Sequence, residues 1–569
     1  MVVSILRALR HTPCFNAHPS VNDLLALSLE APTAIYHGEE RLLFRFVLKI
    51  FYGSIVVENG DLVPSTGIPC IVCSNHSNSL TDALLLTTSI PTRRRNMLRL
   101  TAKSTQFGHK TFTSWLIESA GTVPIKRRKD YERKEDADNT EAMSKLMEAL
   151  ELGDAICLFP EGMSRYHPTI APLKTGVARI VSDVLTRNRH DPNFEIQVLT
   201  CSITYMHRQH FRSDVLVTFH EPMVFTPKVG ADLAEDNPEL LTPVEFDNIR
   251  ALTNQLHQKI SSGTWDAPSW DLIRTAKLAA RIYAPLGTSM TLGDHVRLSI
   301  AFQNIFKAAD THSKKESSGA TATDQTDFSI SEVNQLRGDL KVYQDQIAKW
   351  GVKDDRIRRP LPRHVIISRL FIRFIWATCL LIISFPGLLL WLPVFATTFY
   401  AVHNYKKTGP IFDTFDEIAQ YKLTYGLISG ICVWILGVTL TWPIAPFTVF
   451  LIPALMWMTI RWFEDAVSAF RAFTALQRLL RVGKPQLKAM REKRDDLHSQ
   501  IMNLAVKTLG LPDDPEGYFR AVGGQQKGRI QGRWDSRARY FSIKRRRKRD
   551  WNETLRLYDK VDYPEDDSF

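Results

Sequence analysis

A histidine and an aspartate lie where the sequence changes from an apolar strand to an apolar helix. His76 and Asp82 are separated by five residues, in the run SNHSNSLTD that follows GIPCIVC and precedes ALLL. In such a pair the carboxylate orients the imidazole, and the free ring nitrogen accepts a proton from a hydroxyl group. No G-x-S-x-G run lies nearby, which favours direct attack by a substrate hydroxyl. The run is equally typical of a polar loop in which Asp82 caps the following helix.

A basic run follows the next short apolar segment. Residues 121–130 read GTVPIKRRKD, and Arg127 lies in the cationic part. Arginine presents a fork of N–H donors that matches the oxygens of a phosphate group. The run is therefore a candidate phosphate clamp, although solvated charge runs on protein surfaces have the same composition.

Two runs that contain proline and glycine add a carboxylate and two more cations. The run LFPEGMSR ends an apolar strand, and open α/β sheets bind ligands at the carboxyl ends of their strands. Glu161 could accept hydrogen bonds from substrate hydroxyls, Gly162 would allow close approach of the backbone, and Arg165 could reach a phosphate. The run APLKTG begins a helix and contributes Lys174. Taken alone, both runs are also typical of structural turns.

The elements that must position these residues alternate between strand and helix. Short β-rich segments separated by helical patterns predict an α/β sandwich with a mixed sheet between residues 41 and 290. Residues 42–52 are apolar apart from Arg45 and Lys49, which is typical of a helix at a membrane surface or of a core helix. The predicted strands are 67–74, 154–159, 196–204 and 215–219, and the predicted helices are 139–152 and 176–186.

Two long uncharged stretches dominate the second half of the chain. Residues 374–402 and 423–460 contain no charged side chain, and about 20 apolar residues suffice to cross a bilayer core. Each stretch contains prolines, so each predicts either one kinked span or a hairpin that enters and leaves on the same side. Arginines flank the pair of stretches on the outside, and the positive-inside tendency places both flanks in the cytosol.

The rest of the sequence predicts connecting and terminal segments. Residues 311–326 are rich in Ser, Thr and Ala, which is typical of a flexible linker, and residues 466–508 have a charged helical pattern. The predicted organisation is an N-terminal segment (1–40), the α/β domain (41–290), a linker and helical segment (291–362), a membrane region (363–465), and a charged helical and basic C-terminal region (466–569).

The composition favours acidic partners and argues against a disulfide framework. The formal net charge of +12 is typical of proteins that bind nucleic acid, anionic lipid or phosphorylated substrates. One basic cluster, KRRRKR at 544–549, lacks interleaved aromatic residues, so we expect a solvated tail or lipid contact there and no nucleic-acid partner. The seven cysteines are scattered, which indicates reduced thiols in a cytosol-facing protein. Cys70 and Cys73 have no second pair at a zinc-binding spacing, so no metal site is predicted.

With its four motifs in this order, the segment 65–225 resembles the glycerophosphate acyltransferase superfamily, whose members share the PlsC-like fold. The most specific element is FPEG followed by PLKTG, with the His…Asp pair upstream. Within the superfamily, the sequence is most similar to the fungal-type glycerol-3-phosphate/dihydroxyacetone-phosphate acyltransferases. The resemblance implies an α/β, mixed-sheet acyltransferase domain (41–290), followed by hydrophobic membrane helices and a charged helical C-terminal region.

The resemblance also implies roles for individual residues. His76 would be the general base and Asp82 its orienting partner. Arg127, Glu161 and Gly162 would hold glycerol phosphate.

The resemblance also implies a role for Lys174 of the fourth motif, and the sequence departs from the family pattern at two positions. Lys174 would have a supporting role in substrate binding. The family usually has four residues between His and Asp, whereas five stand here. The usual third motif is FPEGTRS, whereas here Arg165, the remaining candidate for phosphate contact, falls one place later in FPEGMSR.

The implied reaction moves an acyl group from acyl-CoA, the donor substrate, to a hydroxyl of glycerol 3-phosphate or dihydroxyacetone phosphate, with no metal or bound cofactor. A lysophospholipid such as lysophosphatidate is an alternative acceptor, because it too carries a phosphate and a free hydroxyl. A membrane scaffold that keeps the fold without the activity is a further alternative. Membrane lipids are expected partners, and the oligomeric state stays open. The expected location is the endoplasmic reticulum membrane, with the catalytic domain facing the cytosol.

Overall fold

The structure is a computed structural model that describes most of the chain. The predicted N-terminal segment up to residue 33, Arg127, the basic cluster at 544–549 and the acidic end of the chain lie outside the described residues. The described residues are 34–109, 114, 117–118, 122–126, 138–208, 210–227, 243–284, 291–316, 330–352, 354–358, 362–408, 417–515, 518 and 529–530.

Strands and helices alternate in the first half of the chain, and helices make up the second half. The strands are β1 (Ser54–Glu58), β2 (Cys70–Ser74), β3 (Thr101–Lys103), β4 (Val123–Ile125), β5 (Ala155–Leu158), β6 (Ile196–Tyr205), β7 (Asp214–Phe219), β8 (Met223–Phe225) and β9 (Arg529–Ile530). The helices are α1 (Ala34–Phe51), α2 (Leu80–Ser89), α3 (Thr140–Glu151), α4 (Gly176–Arg187), α5 (Pro243–Ser261), α6 (Trp270–Tyr283), α7 (Leu292–Glu316), α8 (Ile330–Trp350), α9 (Asp354–Arg358), α10 (Arg363–Thr408), α11 (Ile418–Leu440), α12 (Ala445–Arg481) and α13 (Lys484–Leu509).

The central sheet is mixed, as the sequence predicts. Its strand order is β5-β2-β6-β7-β1-β9, and β8 pairs with β6. Strands β5, β2 and β6 are parallel neighbours, β7 runs antiparallel to β6, and β1 runs parallel to β7. Cys73 lies opposite Leu158 in this register, so the carboxyl ends of β2 and β5 open at the same edge of the sheet. The residues that follow these two strands carry the first and third motifs.

Two apolar layers cover the sheet and explain why the predicted strands form. Strand β2 is buried along its whole length, and its alternate side chains enter two different core clusters, with Val72 on one face and Ile71 on the other. Helices α1 and α2 pack on the first face, and α3, α4 and α5 pack on the second. All four predicted strands and both predicted helices are present, with ends shifted by at most three residues.

Helix α1 has features of both structures that residues 42–52 predict. Phe44 and Leu48 are buried in the core beside the sheet. Leu42 and Phe46, in contrast, are 60% and 43% exposed. The helix is therefore a core helix whose outer side stays apolar.

A second body is helical and joins segments from both sides of the apolar helices. Its core cluster takes buried side chains from α6, α7 and α8, from α13, and from the ends of α10 and α12. Arg494 of α13 pairs with Asp354 of α9 at 2.8 Å, and both side chains are almost fully buried. Helix α7 continues to Glu316, so the first six residues of the predicted linker are helical, and residues 317–326 lie outside the described parts.

Three helices of the described structure are long and apolar enough to cross a membrane: α10, α11, and α12 together with the short 3-10 turn before it. The uncharged stretch 374–402 forms a single helix that contains Pro386 and Pro393. The stretch 423–460 forms a helical hairpin, which turns at Trp442–Ile444. Helices α10 and α12 run antiparallel, with Phe374 beside Phe473 and the Trp391 indole donating to the Met456 carbonyl oxygen at 3.0 Å.

Replacing Arg494 with alanine tests whether the helical body depends on its buried ion pair. The change leaves the Asp354 carboxylate buried without its cation, so we expect a loss of about 3–5 kcal/mol in the free energy of unfolding. Thermal unfolding of the detergent-solubilised protein measures it. Lys488→Ala is the control, because the pair between Lys488 and Glu492 is exposed and should be worth less than about 1 kcal/mol. Equal melting temperatures for the two variants would contradict the expectation.

Candidate active site

Two neighbouring parallel strands bring the first and third motifs together. His76 follows β2 by two residues, and Phe159 directly follows β5. The imidazole of His76 stacks on the Phe159 ring, with 4.0 Å between ring centroids and 16° between ring planes. The backbone N–H of Arg165 also donates to the carbonyl oxygen of His76 at 3.0 Å. The third motif therefore supports the histidine from one side.

The predicted histidine–aspartate pair is formed. His76 Nδ1 lies 2.9 Å from Asp82 Oδ2, and the aspartate side chain is fully buried. The histidine side chain is 17% exposed, and within the described parts of the chain its Nε2 has no hydrogen-bond partner. The ring is thus held at one nitrogen and open at the other, which is the arrangement a general base needs.

A sharp turn lets Asp82 reach His76 across five intervening residues. Ser79 has a φ of 46°, in the left-handed region, and helix α2 begins at the next residue. Asp82 lies in the first turn of that helix, and its Oδ2 also accepts the backbone N–H groups of Ser77 (2.9 Å) and Asn78 (2.7 Å). The helix N-terminus favours a negative charge at this point.

Tyr205 completes the environment of the aspartate, and the sequence analysis did not identify it. Its hydroxyl donates to Asp82 Oδ1 at 2.5 Å. Burial raises the pKa of the Tyr205 phenol well above its ordinary value, and the Asp82 charge raises it further, so the phenol stays a donor. Tyr205 is the last residue of β6, which pairs with β2. The sequence signal that could have identified it is a tyrosine at the carboxyl end of a buried strand.

Glu161 joins the loops of two motifs through their backbones. Its Oε1 accepts the N–H of His76 at 2.6 Å, and its Oε2 accepts the N–H of Ala171 at 3.1 Å. The side chain is only 6% exposed, and burial raises its pKa, while the two N–H donors lower it. The structure shows Glu161 as a brace for the His76 loop; its contact with a substrate hydroxyl stays a prediction.

Two of the predicted cations lie beside this brace. Lys174 is exposed, and its side chain covers Gly162, which has a φ of 71°. Its backbone N–H donates to the carbonyl oxygen of Pro160 at 2.8 Å, which ties the fourth motif to the third. The Nε atom of Arg165 is buried and has no hydrogen-bond partner within the described residues, so this guanidinium has donor capacity left for a ligand.

Two further cations at this edge were missed by the sequence analysis. Arg208 is buried; its Nη1 donates to the carbonyl oxygen of Ser77 at 2.9 Å, and its guanidinium lies 3.9 Å from the centroid of the Tyr166 ring. Lys103 ends β3, which pairs in parallel with β4. It therefore lies opposite Ile125, the residue that directly precedes the basic run. Arg127 lies outside the described residues, and its place relative to His76 stays a prediction.

The cysteines and other metal-binding side chains form no metal centre within the described residues. No group of three His, Cys, Asp or Glu side chains comes together there. Cys70 and Cys73 are fully buried in β2, and burial raises the pKa of Cys70 to about 12 and that of Cys73 well above its ordinary value. Because their pKa values are raised, both thiols are neutral core residues. A metal ligand would have to be the thiolate.

Comparison with protein families defines the class to which this fold and site belong. A family model described as Acyltransferase matches residues 54–204, which include the His76–Asp82 pair and the FPEG motif. A second model, described as Glycerol-3-phosphate acyltransferase 2 C-terminal domain, matches residues 326–409, from the linker end to the end of α10. The chain therefore contains a PlsC-like acyltransferase domain followed by a C-terminal region of the glycerol-3-phosphate acyltransferase 2 type.

Individual relatives agree with this class. The chain is 25% identical over 308 residues to glycerol-3-phosphate O-acyltransferase 2 of Saccharomyces cerevisiae, over 52% of this chain and 38% of that protein. It is 23% identical over 418 residues to an uncharacterized acyltransferase of Schizosaccharomyces pombe, over 68% and 57%. It is 20% identical over 290 residues to glycerol-3-phosphate O-acyltransferase 1 of Saccharomyces cerevisiae, over 50% and 35%. The chain thus spans less than two thirds of the length of each of these relatives.

One solved structure is also similar. The crystal structure of the 1-acyl-sn-glycerophosphate (LPA) acyltransferase PlsC from Thermotoga maritima aligns with 46% of this chain and 89% of its own. The sequence identity is 14% and the TM-score is 0.26.

Removing the Tyr205 hydroxyl tests its role in orienting the pair. In Tyr205→Phe, Asp82 loses one donor and holds the imidazole less firmly, so we expect kcat to fall about tenfold, equivalent to ~1.4 kcal/mol, with KM unchanged. Steady-state acyl-transfer kinetics measure both constants. Tyr283→Phe, which removes a donor to Pro512 in the helical body, is the control and should leave kcat unchanged. A wild-type kcat in Tyr205→Phe would show that this hydrogen bond does not position the dyad.

Replacing Gly162 with alanine tests whether the Lys174 side chain, which lies against this glycine, binds the acceptor. A Cβ at this position would collide with the Lys174 side chain, and the positive φ costs about 1–2 kcal/mol for other residues. We expect Gly162→Ala to raise KM for the phosphorylated acceptor about tenfold, or ~1.4 kcal/mol, without raising KM for the acyl donor. Gly176→Ala is the matched control, since its Cβ would meet nothing within 4 Å. Equal effects of Gly162→Ala on both KM values would count against a phosphate role for Lys174.

Proposed function

We propose that this protein is an acyl-CoA-dependent O-acyltransferase that acylates glycerol 3-phosphate or dihydroxyacetone phosphate, the former giving lysophosphatidate. One observation carries the proposal: His76 is bound at Nδ1 to a buried carboxylate, and its Nε2 is open at the strand edge. Next to it are two cations that suit a phosphate, Arg165 and Lys174. The curated glycerol-3-phosphate acyltransferases to which the chain is similar support this choice of acceptor.

In the proposed reaction one proton moves from the acceptor hydroxyl to His76 and then to the CoA sulfur. Nε2 of His76 accepts the proton of the acceptor hydroxyl as its oxygen attacks the thioester carbonyl carbon. The C–S bond then breaks, and the imidazolium returns the proton to the sulfur, so CoA leaves as a thiol. Asp82 stabilises the imidazolium and keeps the ring in the productive tautomer. General base assistance of this kind contributes about 10²–10⁴-fold to the rate.

The acceptor phosphate is proposed to lie against the cations around the third motif. Arg165 has an unpartnered buried Nε, Lys174 is exposed above Gly162, and Arg127 follows the strand next to β3. Glu161 keeps the His76 loop and the Ala171 loop at a constant separation, and its remaining lone pairs could accept a substrate hydroxyl. In this scheme the chain needs no resident metal or cofactor, because the donor thioester supplies the driving force.

We propose that the enzyme works at the endoplasmic reticulum membrane with its catalytic domain in the cytosol. The three apolar helices support a membrane location. The donor is a cytosolic thioester and the product is a lipid, so the reaction belongs at this boundary.

A lysophospholipid is the second candidate acceptor, and one contact favours it. The Ser79 hydroxyl of the active-site loop donates to Gln420 Oε1 of the apolar helix α11 at 3.1 Å. The site therefore borders the apolar helices, where an acceptor that already carries an acyl chain could approach from the membrane.

Acyl transfer by membranes that contain the full chain tests the proposal. We expect His76→Ala to lower turnover by at least about 10²-fold, because the general base is lost. Asp82→Asn should lose less, since only the tautomer and the orientation of the ring change. The exposed His190→Ala is the matched control.

Each assay uses glycerol 3-phosphate, dihydroxyacetone phosphate and lysophosphatidate in turn with the same acyl-CoA. Faster transfer to lysophosphatidate would select the second candidate. Full activity of His76→Ala towards every acceptor would overturn the catalytic scheme, and no activity in the parent protein would favour a scaffold role.

A further inference from the structure

The positions of the chain before and after the apolar helices restrict how those helices can meet a membrane. Three crossings would place the chain before α10 and the chain after α12 on opposite sides of the bilayer. In the structure these segments pack into one core, where Arg494 pairs with Asp354 at 2.8 Å and Tyr283 donates to the Pro512 carbonyl oxygen at 2.6 Å. An odd number of crossings is therefore incompatible with the fold.

Helix α10 cannot be one of two crossings, because both of its ends meet the folded bodies. Ile366, near its beginning, belongs to the helical core. Near its other end, the buried Tyr405 stacks on Tyr421 of α11, with 4.6 Å between ring centroids. Helix α11 begins beside the active-site loop, and its residues Ala419 and Leu423 are part of the core beside the sheet.

The two folded bodies are on the same side, because they contact each other directly. Tyr166 of the third motif packs on Trp270 of α6, with 4.7 Å between ring centroids. The N–H of Ala267 donates to the Pro168 carbonyl oxygen at 3.0 Å. The start and the end of α10 therefore belong to one continuous polar unit.

The middle of α10 and α12 also contacts the acyltransferase domain. Ile50 of α1 packs against the cluster that contains Trp391 and Met456. Arg212, which follows β6, pairs with Glu464 of α12 at 2.5 Å. The apolar helices thus lie alongside the domain, and a crossing orientation would bring its polar surface to the depth of the hydrocarbon core, where polar groups are costly.

The uncharged part of the remaining hairpin is shorter than the hydrocarbon core of a bilayer is thick. Its uncharged arms run from Thr424 to Leu440 and from Ala445 to Ile460, between Lys422 and Arg461. At about 1.5 Å per residue, each arm is roughly 25 Å long, whereas the hydrocarbon core of a bilayer is about 30 Å thick. The tip is apolar and exposed: Leu440, Trp442, Phe447 and Phe450 are 76%, 77%, 75% and 77% exposed.

We infer that the chain is monotopic: α10, α11 and α12 enter the bilayer from one side, the hairpin tip lies inside the hydrocarbon core, and no helix reaches the opposite face. The partner that fits this surface is the acyl-chain layer of a bilayer. The outer side of α10, with Phe371, Leu392 and Phe399 at 65%, 64% and 74% exposure, lies in the same layer. Large exposed apolar patches of this kind mark membrane contacts. The inference does not depend on the reaction proposed above.

Thiol labelling in sealed membrane vesicles tests the inference on the full chain. Cys14, Cys379 and Cys432 are first replaced by alanine, because the last two are exposed on the apolar helices and the first lies outside the described residues. Single reporters are then added before the helices, at the end of α10, at the hairpin tip and after the helices: Lys349→Cys, Lys407→Cys, Ile444→Cys and Lys488→Cys. A membrane-impermeant maleimide is applied outside, and in a second arm it is trapped in the lumen.

A monotopic chain labels at Lys349→Cys, Lys407→Cys and Lys488→Cys from the same side and to the same extent. In sealed vesicles Ile444→Cys reacts with the maleimide from neither side. It reacts only after detergent is added. Labelling of Lys349→Cys and Lys488→Cys from opposite sides would overturn the inference, since that is the result of three crossings. Labelling of Lys407→Cys or Ile444→Cys only from the side opposite to Lys349→Cys would also overturn it, by showing that α10 or the hairpin crosses. Labelling in detergent reports the amount of each variant, so a poorly folded reporter is recognised and moved by one helical turn.

Discussion

The active site depends on one buried carboxylate and on the hydrogen-bond donors that surround it. Burying an ionised group is costly unless hydrogen bonds replace its water shell. Asp82 has four such partners: the imidazole of His76, two backbone N–H groups and the hydroxyl of Tyr205. They come from the turn after β2 and from the end of β6, so the positions of both strands and of helix α2 are tied to this one group.

The parallel pairing of β2 and β5 makes the second contribution to the site. It places His76 against Phe159, and it lets Glu161 receive the backbone N–H groups of two loops. The loops that carry the reactive groups are therefore held by backbone contacts, and the imidazole is positioned before any substrate arrives. A site organised in this way does not have to reorganise during the reaction.

The apolar helices and the acyltransferase domain form a shared interface. The Arg212–Glu464 ion pair and the Ser79–Gln420 hydrogen bond join them at two separate points. The second contact reaches the active-site turn itself, three residues after His76. The position of the His76 imidazole relative to the apolar helices is thus set by contacts within the chain.

The sequence by itself determined the local elements and the reactive pair: the four strands of apolar residues, the helices between them, and the His76–Asp82 spacing at a strand-to-helix junction. These follow from periodicity and turn chemistry, which act over a few residues. Tyr205, the stacking of Phe159 on His76, and the fold of residues 423–460 as a hairpin were decided by tertiary structure. Tyr205 is 123 residues from Asp82, and α13 meets α9 across 140 residues, so only strand register and helix packing bring them together.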